Sequence, residues 1–164
     1  MAPHQLAQVN IALGREPLDA PLLADFVAAL DPVNARADQA PGFVWRMQDA
    51  NGNATLIRGF GDDPRLIINM SVWRSLEALR HFVYRDAEHL RVMRRRREWF
   101  ERLDLYMVLW WVASGHRPSV EDAERRLALL REHGPTSEAF TFQTSFASPA
   151  AEVARIDDGW LCPA

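Results

Sequence analysis

The sequence contains no lysine, and all 19 of its basic side chains are arginines. Lysine is the side chain that forms Schiff bases with carbonyl substrates, so that class of covalent catalysis is excluded. The simplest explanation of the bias is the codon usage of a GC-rich bacterial genome. Cysteine is almost absent as well: Cys162 is the only one, so no internal disulfide can form. We expect a thiol so near the end of the sequence to be a poor nucleophile.

Long apolar runs and basic blocks are also missing. No run of about 18 apolar residues occurs, so we expect no membrane span. The first residues lack the basic and apolar regions of a signal peptide, and we therefore expect a cytoplasmic protein. The net charge is −3 with no separate basic segment, which argues against a nucleic-acid partner. The length suits one domain, which we place over 1–147, with a flexible tail over 148–164.

Turn signals and alternating apolar residues predict six strands. An Asn-Gly turn within 49–53 and a second turn at 61–64 favour a meander of three consecutive antiparallel strands. The predicted strands are Leu6–Leu13, Phe43–Gln48, Ala54–Phe60, Leu66–Trp73, Leu105–Val112 and 138–146.

Capping residues and helical spacing predict four helices. Ser75, Asp86 and Ser119 are typical N-caps, and the Asp31-Pro32 pair is expected to end the first helix. The predicted helices cover 21–30, the residues after Ser75, 87–100 and 119–134.

These elements predict an α+β protein with a ferredoxin-like antiparallel sheet and helices on one face. The strand Leu105–Val112 is apolar on both faces, although such a sheet leaves one face bare. The simplest explanation is a homodimer in which the sheets of two subunits close against each other, and the alternative is a helix after this strand that covers the second face. In the first case one of Trp110 and Trp111 is a core residue and the other an interface residue.

The chain from Leu6 to about Phe146 resembles an uncharacterised bacterial family of the dimeric α+β barrel superfamily, which includes the antibiotic-biosynthesis monooxygenases. The resemblance implies a homodimer. Relatives include cofactor-free oxygenases, haem-degrading or haem-dependent enzymes, isomerases and ligand binders, so the fold does not select an activity. The matching stretches are LAQVNIA, LDPVNARADQAPGFVWRMQ, INMSVWRSLEALRHFVYR, HLRVMRRRREWFERL and VLWWVASGHRPSVEDA.

Polar side chains on otherwise apolar strands predict a ligand site, since buried polar groups need partners. Asn69, Ser71 and Trp73 share one parity of a strand whose other parity is wholly apolar. Either these groups bond to one another or to solvent, or they line a cavity of ligand size. The candidate binding residues on strands are Asn10, Arg46, Arg58, Asn69, Ser71, Trp73, Trp110 and Trp111.

Two helical histidines are candidates for chemistry. A histidine beside such a cavity can act as a general base or as an axial haem ligand, although an isolated helical histidine is commonly a packed or solvent-facing residue. His81 and His89 are the two candidates.

The arginine run at 94–97 has an ordinary explanation, since Glu98 and Glu101 can pair with it at helical spacing. A binding role for one arginine is the alternative. In a continuous helix Arg97 shares a face with Met93 and Phe100.

The resemblance implies two sets of roles. Cofactor-free relatives remove a proton from a phenol-like substrate, whose anion then donates an electron to oxygen. These relatives bind and polarise the substrate with asparagine, tryptophan, tyrosine and arginine side chains. The counterparts in this sequence, by type and approximate location, are Asn69, Trp73, Tyr84 and either Arg46 or Arg58. Haem-degrading relatives use an asparagine on the first strand, a tryptophan near the second helix and a histidine on that helix. The resemblance would give these roles to Asn10, Trp73 and His81.

The sequence therefore favours a small-molecule-binding enzyme most similar to a cofactor-independent monooxygenase, acting on a hydrophobic or aromatic, polyketide-like metabolite. The alternatives are a haem-binding or haem-degrading monooxygenase, and a cyclase, isomerase or non-catalytic dimeric binder. No metal-ligand spacing and no glycine-rich phosphate loop occurs, so we expect neither a metal nor a nucleotide cofactor. The catalytic candidates are Asn69, Trp73, His81 and Tyr84.

Overall fold

The computed structural model describes residues 2–61 and 63–149. The predicted features around Trp160 and Cys162, and nearly all of the predicted tail, lie outside this part of the chain. The strands are β1 (His4–Leu13), β2 (Phe43–Arg46), β3 (Leu66–Trp73) and β4 (Met107–Ala113), and the α-helices are α1 (Ala24–Asp38, after a short 3-10 turn at Pro21–Leu23), α2 (Leu76–Arg85), α3 (Ala87–Arg94), α4 (Arg96–Trp99) and α5 (Val120–His133).

The four strands form one antiparallel sheet in the order β2-β3-β1-β4. Both long strands, β1 and β3, lie at its centre, and Ala7 on β1 pairs with Val72 on β3 and with Trp110 on β4. This is the order of a ferredoxin-like βαββαβ unit, so the predicted α+β class is confirmed. None of the described helices is long and apolar enough to cross a membrane.

Helices cover both faces of the sheet. The first face carries buried aliphatic side chains such as Val9 and Met70, which pack against Leu127 and Leu130 of α5. The strand that is apolar on both sides is thus explained by a helix of the same chain, the second of the two explanations. Pairing of two chains into a barrel stays a prediction.

The second face is covered by α1 to α4 and carries two hydrophobic clusters. One cluster includes Trp73 and Phe82 at one end of the strands, and the other includes Trp99 and Phe100 at the opposite end. Alternate residues of β1 and β3 run from one cluster to the other. Between the two clusters the residues at these positions are polar, and the candidate site lies over this polar part of the sheet.

The three predicted helix caps are present. Ser75 Oγ accepts a hydrogen bond from Ala78 N at 3.1 Å, and Asp86 Oδ1 accepts one from His89 N at 3.0 Å. Ser119 forms a reciprocal capping box with Asp122. Each of these carboxylates or hydroxyls satisfies a backbone N–H that has no partner within its helix.

Two predicted helix boundaries differ from the structure. Helix α1 continues through Pro32 to Asp38 instead of ending at Asp31. Proline removes one backbone hydrogen bond and costs about 3 kcal/mol in a helix interior; residues such as Val33 and Ala37, beyond the proline, pack on the second-face cluster and offset that cost. The predicted helix 87–100 is interrupted at Arg95, which separates α3 from α4.

Two predicted strands are absent from the described residues. Residues 54–60 form turns and bends instead of a strand. Gly59 lies so close to Val120 that an added Cβ would collide with its side chain, and Phe60 N donates to Glu124, so this segment packs against α5. The predicted strand at 138–146 is reduced to two isolated bridges, one between Phe140 and Leu109 of β4 and one between Ala139 and Thr136.

Candidate functional site

A cavity of about 150 Å³ lies between the second face of the sheet and helices α1, α3 and α4. Most of its wall is apolar, and polar side chains converge on it, which is typical of a small-molecule site. The polar lining residues are Asn10, Asn34, Arg46, Asn53, Thr55, Asn69, His89 and Arg96, of which Asn34 donates to Asn53 at 2.7 Å. The segment predicted as a strand closes one side with Ala54 and Thr55. The other apolar lining residues are Ala12, Phe26, Ala29, Leu30, Val33, Met47, Ile67, Ile68, Val92, Met93, Trp99 and Phe100.

Two asparagines form the polar floor of the cavity. Asn10 on β1 pairs with Asn69 on β3, so both side chains leave the same face of the sheet at the same point. The Asn69 side chain is exposed where it lines the cavity, and its amide forms no hydrogen bond with any residue that the structure describes. It is therefore available to a ligand.

A buried glutamine fixes the orientation of the first asparagine. Gln8 Nε2 donates to Ser71 Oγ at 2.9 Å, and Gln8 Oε1 accepts from Asn10 Nδ2 at 3.4 Å. Ser71 Oγ also accepts from Trp73 Nε1 at 2.8 Å. Because this network assigns the amide orientation, Asn10 Oδ1 remains as an acceptor at the cavity.

His89 lines the cavity from α3. Its Nδ1 lies 3.0 Å from Val83 O, and since a carbonyl can only accept, Nδ1 carries the proton. The lone pair of the neutral ring is then on Nε2, which has no partner in the described part of the chain. Burial lowers the pKa of His89 below its ordinary value, although Val83 O and the charge of Asp86 act in the opposite direction.

Two arginines line the cavity with different partners. Arg46 binds the Asp38 carboxylate at 2.7 Å and Gly52 O at 2.7 Å, so it joins the edge strand β2 to α1 and to the following turn. Arg96 stacks on Tyr106, with its guanidinium carbon 4.0 Å from the ring centroid. The first arginine is neutralised within the protein, whereas the second is held by an aromatic ring.

The structure brings four of the sequence-predicted site residues to this cavity: Asn10, Arg46, Asn69 and His89. His81 is exposed and lies in a surface recess with Arg36 and Arg85. Tyr84 is 53% exposed, and its ring packs on Phe142. These two candidates lie outside the cavity.

Two buried candidates support the floor from behind. Trp73 stacks on Phe82 with ring centroids 5.4 Å apart, and it donates to the buried Ser71 hydroxyl. Neither residue lines the cavity. Through Gln8 both are connected to Asn10, so they position the floor.

The remaining candidates lie elsewhere. Trp110 is in the core beside α5, and Trp111 Nε1 donates to Phe146 O at 2.9 Å on the other face. Arg58 is exposed and donates to Thr55 O. Arg97 is exposed outside the cavity.

Sequence reasoning missed Arg96 and Trp99. The assumption of one continuous helix placed Arg97 beside Met93, but the interruption at Arg95 changes the register, and Arg96 reaches the cavity instead. The adjacent aromatic pair at 99 and 100 was the sequence feature that could have indicated an apolar wall of the cavity. In residues 2–61 and 63–149 no three His, Cys, Asp or Glu side chains are grouped so that they could hold a metal ion.

Several solved structures are similar in fold, at low identity. SnoaB, a cofactor-independent oxygenase from Streptomyces nogalater, is 18% identical with a TM-score of 0.46, and the alignment covers 73% of this chain and 98% of that one. A proposed antibiotic biosynthesis monooxygenase from Nitrosomonas europaea is 10% identical with a TM-score of 0.46, covering 73% and 97%. Rv0793 from Mycobacterium tuberculosis is 14% identical with a TM-score of 0.45, covering 70% and 99%.

No curated protein matches the sequence. One family profile matches residues 5–156, which is most of the chain. The prediction of an uncharacterised family is thus confirmed, and the chain belongs to the family described as Domain of unknown function (DUF3291).

Proposed function

We propose that the chain is a small-molecule enzyme that oxidises an aromatic hydroxyl compound with molecular oxygen and without a cofactor, as a monooxygenase. One observation carries the proposal. His89, neutral and fixed as the Nδ1–H tautomer by Val83 O, has a free Nε2 on a cavity wall whose floor is the Asn10–Asn69 pair. A base and amide groups around an apolar space are what proton abstraction from a phenol needs.

The first step is proton transfer. The phenolic O–H donates to His89 Nε2, and the proton moves to that nitrogen as the phenolate forms. The free Asn69 amide donates an N–H to the developing oxyanion, and such a preplaced donor stabilises charge in the transition state. The lowered pKa of His89 keeps the ring unprotonated at neutral pH, so the base is in its working form.

The second step is oxidation by O₂. The phenolate transfers one electron to O₂, and the phenoxyl radical and superoxide combine at a ring carbon to form a C–O bond. The resulting peroxide anion takes back the proton from His89 Nε2, and the hydroperoxide so formed loses water to give a quinone. The sum is phenol plus O₂ giving benzoquinone plus H₂O, which balances in atoms and electrons. The protein supplies the base, the amide donors and an apolar environment.

The cavity volume favours a compound with one ring. A cavity of about 150 Å³ in an apolar protein interior holds a benzene molecule, and the volume here is about the same. A polyketide-like substrate with several fused rings would require α1 to move away from the sheet. We therefore propose a monocyclic substrate.

The haem alternative fits these residues poorly. A macrocycle is much larger than the space between α1, α3 and the sheet. His81, the histidine that the haem relatives would use, lies in a surface recess away from the cavity. No step is derived through haem.

We also propose that the protein is cytoplasmic and a homodimer, on the strength of the family resemblance. Because α5 covers the first face of the sheet, the subunits would meet through a different surface from the one predicted. Sedimentation equilibrium measures the mass in solution, and a monomeric mass at micromolar concentration would refute the homodimer proposal.

Oxygen consumption by the purified protein with monocyclic phenols tests the function. We expect uptake of one O₂ per quinone formed, and a loss of about 10²- to 10⁴-fold in kcat for His89→Gln, the usual contribution of a general base. His81→Gln is the matched comparison and should retain most of the activity. Tight binding of phenols with no O₂ uptake would instead assign the protein to the ligand binders or isomerases.

A further inference from the structure

Arg96 is an arginine at the cavity without an anionic partner. No carboxylate among the described residues forms an ion pair or hydrogen bond with its guanidinium. Its helical neighbours differ: Arg95 binds Asp25 and Glu98, each at 2.9 Å, and Arg91 binds Glu88 at 2.7 Å. Arg94 and Arg97 have no acidic partner among the described residues either, but both are exposed and lie outside the cavity. Arg96 therefore differs from its neighbours in being a half-buried arginine that lines the cavity without an acidic partner.

The hydrogen-bond donors of Arg96 are free of partners among the described residues. Its guanidinium carbon lies 4.0 Å from the centroid of the Tyr106 ring, and such a cation–π contact is an attraction to the ring face and not a hydrogen bond to an acceptor oxygen. The five N–H donors lie in the plane and point outward from its edge, in the fork that matches a carboxylate. Tyr106 therefore fixes the orientation of the cation without using its donors.

The cavity contains nothing that balances this charge. None of its lining residues in the described chain is an aspartate or glutamate. Arg46 is already neutralised by Asp38, and His89 is held neutral because burial lowers its pKa. A half-buried cation that lacks an anion is costly, and a bound anion would offset that cost.

We infer that the natural ligand carries a carboxylate, and that Arg96 binds it while the aromatic ring lies between α1 and the sheet. The ligand class is a monocyclic aromatic acid. The requirement for a hydroxyl group on that acid rests on the proposed function above, whereas the carboxylate site rests on Arg96, Tyr106 and the composition of the wall alone.

Equilibrium binding of benzoate, compared with the uncharged benzamide, tests the inference. Benzoate has no phenolic proton, so its affinity is independent of oxidation, and a failure of the proposed monooxygenase activity would not affect this result. The method is isothermal titration calorimetry on the full chain at neutral pH. We expect wild type to bind benzoate roughly 10- to 100-fold more tightly than benzamide, the range for hydrogen bonds to a charged group.

The variants separate a binding role from a structural one. Arg96→Gln should abolish the preference for benzoate and leave benzamide affinity nearly unchanged, while Arg96→Lys should retain part of it, since lysine keeps the charge but not the fork. Arg94→Gln is the matched control, because Arg94 is exposed on α3 and lies outside the cavity. Circular dichroism of each variant verifies folding.

Three outcomes would overturn the inference: no benzoate binding at millimolar concentration, equal affinity for benzoate and benzamide, or an unchanged preference in a folded Arg96→Gln. If Arg96→Gln does not fold, the same comparison is made with Arg96→Lys. A full, undiminished preference in that variant would then contradict the bidentate geometry.

Discussion

Asn10 and Asn69 lie directly opposite each other on the two central strands, and their amides leave the sheet side by side. One amide is oriented by Gln8, and the other has no hydrogen bond with the described residues. The pair occupies the interval between two aromatic clusters on a face that helices cover. Asn69 is exposed and Asn10 is half-buried, so both amides are accessible to a ligand, and polar groups flanked by apolar clusters are typical of a small-molecule site.

Asn69→Leu should separate function from stability. Because the Asn69 amide contributes no hydrogen bond to the fold, we expect the free energy of unfolding to change by less than about 0.5 kcal/mol, the range for sites without special features. Substrate turnover should fall strongly, since the oxyanion loses its donor. Urea titration and O₂ consumption on the same preparations check the two parts.

Gln8→Leu is the contrasting variant. It leaves Asn10 and Ser71 without their buried partner, and an unsatisfied buried group costs about 1–3 kcal/mol. We therefore expect Gln8→Leu to be destabilised where Asn69→Leu is not. Equal destabilisation of both variants would contradict the assignment of Asn69 to the ligand.

We expect the free energy of unfolding to decrease as the pH falls below 6.5, because of the partly buried His89. The unfolded chain titrates His89 near its ordinary pKa of 6.5, whereas burial lowers the pKa in the folded state. Below 6.5 the unfolded state therefore binds more protons, and stability falls as pH decreases toward the lower folded pKa. Above 6.5 this contribution is fully present and constant.

Urea unfolding at a series of pH values, on wild type and His89→Gln, measures this contribution. The variant should show a flatter profile below pH 6.5, over the interval down to the lowered folded-state pKa of His89. The lowered pKa values of Asp86 and Asp122 act in a separate window, below their ordinary value of 3.8. Superimposable profiles would show that His89 is not buried in solution.

Asp86, the N-cap of α3, should affect activity because it holds in place the helix that carries the base His89. Asp86→Ala removes the hydrogen bond to His89 N and the ion pair with Arg36 at 2.7 Å, and loss of an N-cap costs about 1 kcal/mol. We expect that loss in thermal unfolding, together with a decrease in kcat, because α3 carries His89. Glu88→Ala on the same turn is the comparison, because it removes only the surface ion pair with Arg91, and it should change the stability by less than about 1 kcal/mol and leave kcat unchanged.

Helix α5 should be necessary for the fold of a single chain. Leu127 is fully buried against the first face of the sheet, and Leu→Ala at such a position costs about 2–5 kcal/mol. Leu56→Ala, at a side chain 60% exposed, is the comparison and should cost less than about 0.5 kcal/mol. A small effect at Leu127 would mean that α5 is displaced from the sheet in solution, for instance by a second subunit.

The predicted pattern was accurate where local chemistry is decisive. The three helix caps were predicted because each capping side chain accepts a hydrogen bond from a backbone N–H only a few residues away. The capping residues are Ser75, Asp86 and Ser119. The alternation of β3 correctly divided Met70 from Asn69, since successive side chains of a strand point to opposite faces. Asn10, Arg46 and His89 were also among the candidates that reach the cavity.

The errors arose where distant contacts are decisive. Residues 54–60 read as a strand, but they pack against α5 far along the chain. His81 and His89 are equivalent as isolated helical histidines. Their roles differ because Phe82 and Val83 enclose one ring, while the other faces a surface recess.

The sequence by itself determined the strand alternation, the caps, the absence of lysine chemistry and the family. Each of these depends on residue identity or on neighbours within a few positions. Tertiary structure decided which side chains share the cavity, that Arg96 rather than Arg97 lines it, and that α5 covers the face assigned to a partner. Those outcomes depend on packing between segments far apart in the chain, such as β1 and α5, where the burial of apolar area outweighs local preference.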